Sequence, residues 1–191
     1  MKAILRMNKV KSYLSELTIV TIGVLVALVI NNYKEDNQAR KYQIASIVTI
    51  KNEIELNYEE LKKVIESHSS LQDSIKKYSK DPILLSDLIY KAGGLKSINL
   101  KNTGLDFYKK NDINSIDFEM MSMLLNMKST SELINIKLEK LVDYLYPNLF
   151  DDSEESKMLV VLYLENVINS ETTLMHSYEN FIDKYINKTK R

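Results

Sequence analysis

The chain contains two kinds of apolar pattern. Residues 17–30 form an uncharged run, Leu-Thr-Ile-Val-Thr-Ile-Gly-Val-Leu-Val-Ala-Leu-Val-Ile, which is apolar or hydroxyl-bearing on every side of a helix. From residue 34 onwards, apolar residues recur in steps of three and four among charged ones, as they do on an amphipathic helix. The first pattern is typical of a membrane anchor. The second is typical of helices that bury one side against each other.

The apolar run needs its flanks to cross a bilayer. Fourteen residues rise about 21 Å as a helix, which is less than the roughly 30 Å of hydrocarbon. Extending the helix to Tyr13 and Tyr33 places these two tyrosines about 30 Å apart, where they suit the aromatic belts of the two interfaces. Glu16 then lies near the first interface, where its carboxylate can reach water. We therefore predict a transmembrane helix over residues 13–33.

Two alternatives to an uncleaved span are a signal peptide and a buried core helix. Basic residues precede the run, as in a signal peptide, but its end, Leu-Val-Ile-Asn-Asn, lacks the small residues of a cleavage site. A core helix of a soluble protein normally carries a polar stripe, and the run has none.

The flanking charges predict the orientation of the span. Four basic residues and one acid precede its apolar run, namely Lys2, Arg6, Lys9, Lys11 and Glu16. After the span, three basic residues are partly offset by Glu35 and Asp36. The positive-inside rule thus favours a cytoplasmic tail over residues 1–12 and an exported, periplasmic body over residues 34–191. We expect the span to lie in the inner membrane.

The opening of the chain also resembles a known family. Residues 13–33 run Tyr-Leu-Ser-Glu, then an apolar stretch containing Gly-Val-Leu-Val-Ala-Leu, then Asn-Asn-Tyr. They are similar to the openings of uncharacterised single-span membrane proteins of the Bacteroidetes (domain of unknown function family 6090). Those openings run aromatic-Leu-Leu-Glu, Gly-Val-Leu-Ile-Ala-Leu and Asn-Asn-Trp-Asn-Glu, so Tyr33 stands in place of the tryptophan. The resemblance implies an anchor followed by a helical exported domain, and it implies no activity.

Composition narrows the class of the body. The 26 basic and 26 acidic residues are interspersed, whereas nucleic-acid binding calls for clustered basic residues, so we expect no nucleic-acid partner. The absence of cysteine excludes disulfides, thiolate metal sites and a cysteine nucleophile. Only four glycines and two prolines stand in the chain, which favours helices over sheets, since sheets need more turn residues.

Helix signals divide the body into segments. One stripe predicts a long helix that continues the span to about residue 77: Ile47, Ile50, Ile54, Tyr58, Leu61, Ile65, His68, Leu71, Ile75 and Tyr78. Pro82 follows its end. Further helices are predicted over residues 83–91, 105–110, 116–127 and 130–146, the last of these begun by the capping box Ser129–Glu132 and stopped by Pro147. The acidic turn 151–155 opens a final helix to about residue 187. The predicted fold is all-α, a transmembrane helix continuing into an antiparallel helical bundle.

Side chains with possible chemistry are few. His68 and His176 both fall on apolar faces without metal-ligand spacing, so a partly buried, hydrogen-bonded role is favoured over a metal site. The carboxylate pairs 59–60 and 154–155 point about 100° apart on a helix and are predicted to be solvated. The methionines of residues 120–127 fit a core better than an adaptable groove. Gly93-Gly94 lacks the lysine of a phosphate loop and predicts a turn.

One constellation lies in the predicted span. Steps of three and four place a carboxyl, a small-xxx-small pair and an amide on one helix face, formed by Glu16, Val20, Gly23, Ala27 and Asn31. Small residues allow helices to approach closely, and polar groups can hydrogen-bond between them. This face predicts self-association or docking to another membrane protein. The alternative is that small residues are simply common in membrane spans.

The combined expectation is a single-span membrane protein that works by binding, as a scaffold or an accessory subunit of an envelope complex. Its partners would be the lipid bilayer and either further copies of itself or another membrane protein. The sequence predicts no catalytic activity, no cofactor and no metal. The alternative is a ligand-sensing helical bundle that acts through a separate output partner. A lipid or envelope-polymer enzyme would need a convergent polar pocket.

Overall fold

The computed structural model describes residues 2–110 and 117–187. It contains five α-helices, α1 (Lys2–Lys77), α2 (Leu85–Lys91), α3 (Thr103–Lys110), α4 (Phe118–Asn148) and α5 (Glu154–Phe181), followed by a π-helical turn (Ile182–Ile186). The described residues include no strand, so the all-α prediction is confirmed. The predicted start of a helix at Ile116 lies outside the described residues, as does the predicted end of the chain from residue 188 onwards.

The chain divides into two compact units, Met1–Ala45 and Ser46–Arg191. In the described part of the chain, α1 is the one helix long and apolar enough to cross a membrane. We name residues 13–33 of α1 the apolar segment. Its large apolar side chains are each exposed over more than half of their surface: Tyr13, Leu14, Leu17, Ile19, Val20, Ile22, Val24, Leu25, Val26, Leu28, Val29, Ile30 and Tyr33. A core helix of a soluble protein differs, because the rest of its chain covers it.

The second unit is built from three long helices, namely residues 46–77 of α1 together with α4 and α5. Tyr58 of α1 contacts Glu179, and Gln72, further along α1, contacts Val161, so α5 runs antiparallel to α1. Lys137 of α4 donates to the Ser170 hydroxyl. The Tyr144 and Tyr163 rings lie 5.4 Å apart, so α5 is also antiparallel to α4.

The stripe predicted for α1 forms the core of this unit. Ile50, Ile54, Leu61, Leu71 and Ile75 are at most 4 % exposed, and the remaining apolar members of the stripe are partly buried against the same core. Three further residues of α1 are also buried, Val64 and the polar Ser46 and Asn57. Later helices of the same chain therefore cover the stripe.

The break predicted within α4 is wrong. The helix runs unbroken through Ser129–Glu132, the predicted capping box. Its buried residues recur in alternating steps of four and three across that region: Met120, Leu124, Met127, Ser131, Ile134, Leu138, Leu141 and Leu145. Next to the predicted cap Ser129, Thr130 donates its hydroxyl back to the Asn126 carbonyl, as threonines within a helix do. Continuous burial of one face outweighs the local capping preference.

The ends of α4 and α5 follow their sequence signals more closely. Pro147 lies in the last turn of α4, one residue before the helix ends. The acidic turn opens α5 as predicted, with Ser153 as the N-cap whose hydroxyl accepts the Ser156 amide at 3.3 Å. At its other end α5 passes into the π-helical turn, so the regular helix ends six residues before the predicted residue 187.

Candidate functional site

The face predicted within the apolar segment lies entirely on α1, and all five of its members are exposed. Thr18 and Thr21 donate their hydroxyls to the carbonyls four residues earlier, each at 2.8 Å, so these hydroxyls are satisfied within the helix. At Gly23, apart from the adjacent residues and the backbone of its own helical turn, no described atom lies within 4 Å of the place a Cβ would occupy. The face is therefore open to a second helix at its smallest residue.

Asn31, at one end of this face, makes a polar contact on its own helix. Its side-chain amide donates to the Glu35 carboxylate at 2.7 Å. The two residues are one turn apart, a spacing at which side chains on a helix meet. The Glu35 carboxylate thus binds the side chain of Asn31, the last residue of the predicted face, within the same helix.

The largest buried polar cluster centres on His68 of α1. The His68 ring is fully buried, and its Nδ1 lies 3.0 and 3.1 Å from the two oxygens of Glu171 on α5, which is also fully buried. The other ring nitrogen, Nε2, lies 3.0 Å from the backbone carbonyl oxygen of Lys96. Nδ1 carries one hydrogen at most, and the Oε1 atom of Glu171 has no other hydrogen-bond partner.

The partners of the ring fix the number of protons that the pair shares. The Lys96 carbonyl can only accept, so Nε2 carries a hydrogen. Between Nδ1 and the Glu171 carboxylate one further proton is held, either on the ring as an ion pair or on the carboxyl as a neutral pair. In both arrangements the pair as a whole is neutral. A neutral, hydrogen-bonded pair is what a fully buried site tolerates.

His68 also fastens the chain segment between α2 and α3, which we name the connector (residues 94–102). Two other side chains of α1 do the same. Asn57 accepts the Lys101 amide at 2.9 Å and donates to the Lys101 carbonyl at 2.8 Å, and Glu53 accepts the Gly104 amide at 2.8 Å at the start of α3. The connector thus runs antiparallel to α1, and polar side chains take the place of a neighbouring strand in satisfying its backbone.

Gly104 is required by this close approach of α3 to α1. A Cβ at residue 104 would lie 2.8 Å from the Ile50 side chain and 2.9 Å from the Ile50 backbone nitrogen. Only glycine lets the backbone come so near. At the other end of the connector, Gly93 and Gly94 both have φ near +85°, and they form the predicted turn.

A buried lysine joins the loops at one end of the bundle. Lys157 of α5 is fully buried, and its Nζ donates to the backbone carbonyls of Asp81 at 2.5 Å and Asp152 at 2.8 Å. The carboxylate of Asp151 accepts the Ser156 hydroxyl at 2.5 Å, and this hydrogen bond lowers the pKa of Asp151 from its ordinary value. Lys157 therefore acts as a cap for the turns at the end of α1 and the start of α5.

The other end of α5 holds a tyrosine with a displaced pKa. Tyr178 is nearly fully buried, and burial raises its pKa to about 12, although a hydrogen bond with Asn57 opposes this shift. Beside it, Glu179 accepts from Tyr58 and contacts the His176 ring at 2.9 Å. The His176 hydrogen bond, followed by that of Tyr58, lowers the pKa of Glu179.

The remaining sequence candidates do not come together. His176 is exposed, so the prediction of partial burial is wrong for this histidine, although it does make a hydrogen bond with Glu179. His68 is buried and hydrogen-bonded. The pairs Glu59–Glu60 and Glu154–Glu155 are exposed, as predicted. Met120 and Met127 are core residues, and Met121 and Met123 pack against the same core.

A surface groove follows α4 on the side of the connector. One part, with a volume of about 410 Å³, is lined by residues 95–97 and by α4 from Asn135 to Asp143. A second part, of about 290 Å³, is lined by Ile89 of α2, by α4 from Val142 to Tyr146 and by Leu149 directly after the helix. Leu95 and Val142 line both parts, so the two volumes adjoin, and we name them together the groove.

Sequence reasoning missed four of the polar residues that organise the second unit: the partly buried Glu53 and the buried Asn57, Lys157 and Glu171. A signal was present for three of them. Asn57 stands between Ile54 and Leu61 on the helix stripe, and Lys157 and Glu171 occupy equivalent positions in α5. A polar residue on an apolar stripe indicates a buried partner, although it does not identify that partner. Among the described residues, no group of three or more histidines, cysteines and carboxylates is arranged to hold a metal ion.

Comparison of the chain with protein-family profiles, with curated proteins and with solved structures finds no match.

Proposed function

We propose that this chain is a membrane-anchored helical binding protein, a scaffold or accessory subunit of an envelope complex. The observation that carries the proposal is the apolar segment of α1, whose large side chains are exposed over more than half of their surface. No other part of the described chain covers these side chains. In a helix of this length and composition, we propose that a lipid bilayer surrounds them. The resemblance of the opening to single-span membrane proteins supports the same assignment.

Binding is favoured over catalysis by the way in which the buried polar groups are used. His68, Asn57 and Lys157 each hold backbone carbonyls or amides of loops. General acid and base catalysis needs such groups to converge on a substrate. In this chain they hold the connector and the turns to the helices, and we propose no catalytic activity, no cofactor and no nucleic-acid partner.

The site proposed for contact within the membrane is the face formed by Glu16, Val20, Gly23, Ala27 and Asn31. Its support is the spacing of these residues and the open space at Gly23. A second helix, from another copy or from a different membrane protein, can approach closely there. Tyr13 and Tyr33 are proposed as interface anchors, since both are exposed and stand about 30 Å apart along the helix.

The first experiment is the native mass of the protein extracted from its own membrane in mild detergent, with any co-extracted chain identified. We expect a discrete homo-oligomer or a complex with a stoichiometric foreign subunit. The variant Gly23→Ile should abolish an association that uses the proposed face. Thr21→Ile is the matched control, because residue 21 points about 200° away from residue 23 around the helix. A monomer without partners would contradict the proposal.

The orientation is a second, separate part of the proposal. The charge difference across the span favours a cytoplasmic N-terminus and a body outside the inner membrane. A reporter enzyme that is active only after export, fused to the C-terminus, should be active. An inactive export reporter together with an active cytoplasmic one would reverse the topology and leave the binding role intact.

A ligand-sensing bundle is the second candidate function. The observation that favours it is the 410 Å³ part of the groove, a volume within the range of small-molecule sites. A sensor of this kind would act through a separate output protein. A stoichiometric small molecule that survives native extraction, seen by mass spectrometry, would favour the sensor over the scaffold.

A further inference from the structure

The groove on α4 has the length of a helix-binding site. The residues that line it along α4 run from Asn135 to Leu149, the residue directly after the helix, which corresponds to about 21 Å or four helical turns. One wall is this continuous helix, and the other is formed by Ile89 and the start of the connector. Grooves of this form bind amphipathic helices, whose apolar side chains enter at positions i, i+3, i+4 and i+7.

The two ends of the groove differ in chemistry. One end is apolar, with Ile89, Leu145 and Leu149 on its walls and Tyr146 at its rim, where the ring is 73 % exposed. A large, exposed aromatic ring at a rim is typical of residues that anchor a partner.

The other end carries two carboxylates. Glu139 and Asp143 stand one turn apart on α4, both line the groove, and both are exposed. Neither of them has a hydrogen bond or an ion pair with any residue that the structure describes. Lys96, on the opposite wall, adds one positive charge, so the charged side chains of this end carry a net charge of one negative unit. Like charges one turn apart on a helix destabilise it slightly, and a cation placed between them would remove that repulsion.

We propose that this groove binds a helical segment of a partner protein, with apolar side chains between Ile89 and Leu145 and with a lysine or arginine between Glu139 and Asp143. The occupant is a helix because the groove extends over four turns of α4, further than a small ligand reaches. It is basic at one end because the unpaired carboxylates are confined to one end. This inference rests on the proposed binding function and specifies the chemistry of the partner.

The backbone of the connector wall is held by side chains. The Lys96 carbonyl bonds to His68, and no strand pairs with the connector in the described part of the chain. The opposite wall is a regular helix. A partner helix would therefore contact a regular helix, α4, on one side. On the other side it would contact the connector, whose backbone is held by the His68 hydrogen bond.

The test uses the full-length chain in its native membrane. The photoreactive amino acid p-benzoylphenylalanine replaces Tyr146 at the groove, and in a second protein it replaces Phe118, an exposed aromatic residue at the start of α4 and about 42 Å along the helix. We expect a discrete crosslinked product from position 146 and none of the same mass from position 118. The crosslinked peptide should carry basic and apolar residues at helical spacing.

Charge reversal then tests the acidic end. The double variant Glu139→Lys with Asp143→Lys should reduce the crosslinked product about tenfold, since reversed rim charges slow association and repel a cation. The matched control is Glu132→Lys with Glu165→Lys, which changes the net charge equally at exposed sites outside the groove and should leave the yield unchanged. Circular dichroism of both purified variants checks that the helices are intact.

Four results would overturn the proposal: no product specific to position 146, a product insensitive to the reversal, an acidic crosslinked peptide, or a second copy of this chain as the captured partner. Native extraction separates this failure from failure of the proposed function. A stoichiometric foreign subunit without a product at position 146 would reject the groove and keep the binding role. Absence of both would reject the two together.

Discussion

Two stretches of α1 show how one helix can be covered in two different ways. In residues 13–33 the apolar side chains surround the helix, and the described chain leaves them exposed. In residues 46–77 they form a single stripe, and the other helices of the second unit bury it. Both stretches are rich in leucine, isoleucine and valine. The distribution of these residues around the helix, more than their number, determines what covers it.

The two stretches of α1 also differ in the free energy that is lost when an apolar side chain is removed. A leucine that moves from water into a protein core contributes about 1.5–3 kcal/mol, and its deletion also leaves a cavity among fixed neighbours. A leucine of the apolar segment lies outside the core of the second unit, so its deletion leaves no cavity there. Changes in the two stretches should therefore be felt in different measurements, namely unfolding of the body for one and membrane association for the other.

The largest expected difference comes from the same substitution made in both stretches. Leu61 is fully buried, whereas Leu25 is 56 % exposed. Leu61→Ala should lower the free energy of unfolding of the body by about 2–5 kcal/mol. Leu25→Ala should leave it unchanged. Urea unfolding of the full chain in detergent, followed by tyrosine fluorescence, measures both free energies of unfolding. Equal losses for the two variants would contradict the difference between the two stretches.

A second pair of variants removes a carboxylate from a buried site and from an exposed one. Glu171→Ala leaves the Nδ1 atom of His68 without its partner in a fully buried place. Breaking a buried pair in this way should cost about 3 kcal/mol of stability. Glu16→Ala, in the exposed apolar segment, should leave the unfolding of the body unchanged. A loss below about 1 kcal/mol for Glu171→Ala would show that water replaces the carboxylate.

A third test uses pH to probe burial by α5. Tyr178 keeps its proton to about pH 12 in the folded chain, whereas an unfolded tyrosine ionises near its ordinary pKa of 10.0. The stabilisation is complete below the unfolded pKa, and it is lost as the pH rises to the folded pKa, because the unfolded chain then releases a proton that the folded chain retains. Stability should fall by about 2–3 kcal/mol between these two values from this residue.

The variant Tyr178→Phe isolates that contribution. It removes the ionisable group and should flatten the alkaline part of the plot of stability against pH. The smaller contributions of Tyr58 and Tyr185 would remain. The hydrogen bond to Glu179 raises the pKa of Tyr58, and burial raises the pKa of Tyr185. The exposed Tyr146→Phe serves as the control. An unchanged alkaline slope in Tyr178→Phe would place the loss of stability elsewhere.

Local pattern was sufficient to predict several parts of the fold. The stripe in residues 47–78 placed α1 and its buried face, and the scarcity of glycine and proline predicted the all-α class. The acidic turn before α5 was confirmed with Ser153 as its cap. These features depend on neighbours within one or two helical turns, which the sequence displays directly.

Other features depend on residues far apart in the chain. The prediction of a helix start at Ser129 failed because burial of the whole face of α4 outweighed a favourable capping pattern. The pairing of His68 with Glu171 joins residues 103 positions apart, and the pattern alone does not fix which residues of two helices face each other. The groove likewise depends on where the connector passes along α4. Such contacts arise only once the helices are packed in register.

The smallest expected difference concerns two hydroxyl groups. Ser153 accepts the Ser156 amide at the start of α5, a bond of 3.3 Å, whereas Thr21 in the apolar segment donates to a carbonyl that already belongs to a helical turn. The Ser156 amide is one of the first donors of the helix, and it has no carbonyl partner inside α5. Ser153→Ala should therefore lower the stability of the body by about 0.5–1 kcal/mol, and the length of the bond favours the lower value. Thr21→Ala removes a hydroxyl of the same kind and should leave body unfolding unchanged. Amide hydrogen exchange at the first turn of α5 resolves so small an effect, since faster exchange should be confined to that turn. Faster exchange along the whole of α5 would instead show that the cap supports the bundle as a unit.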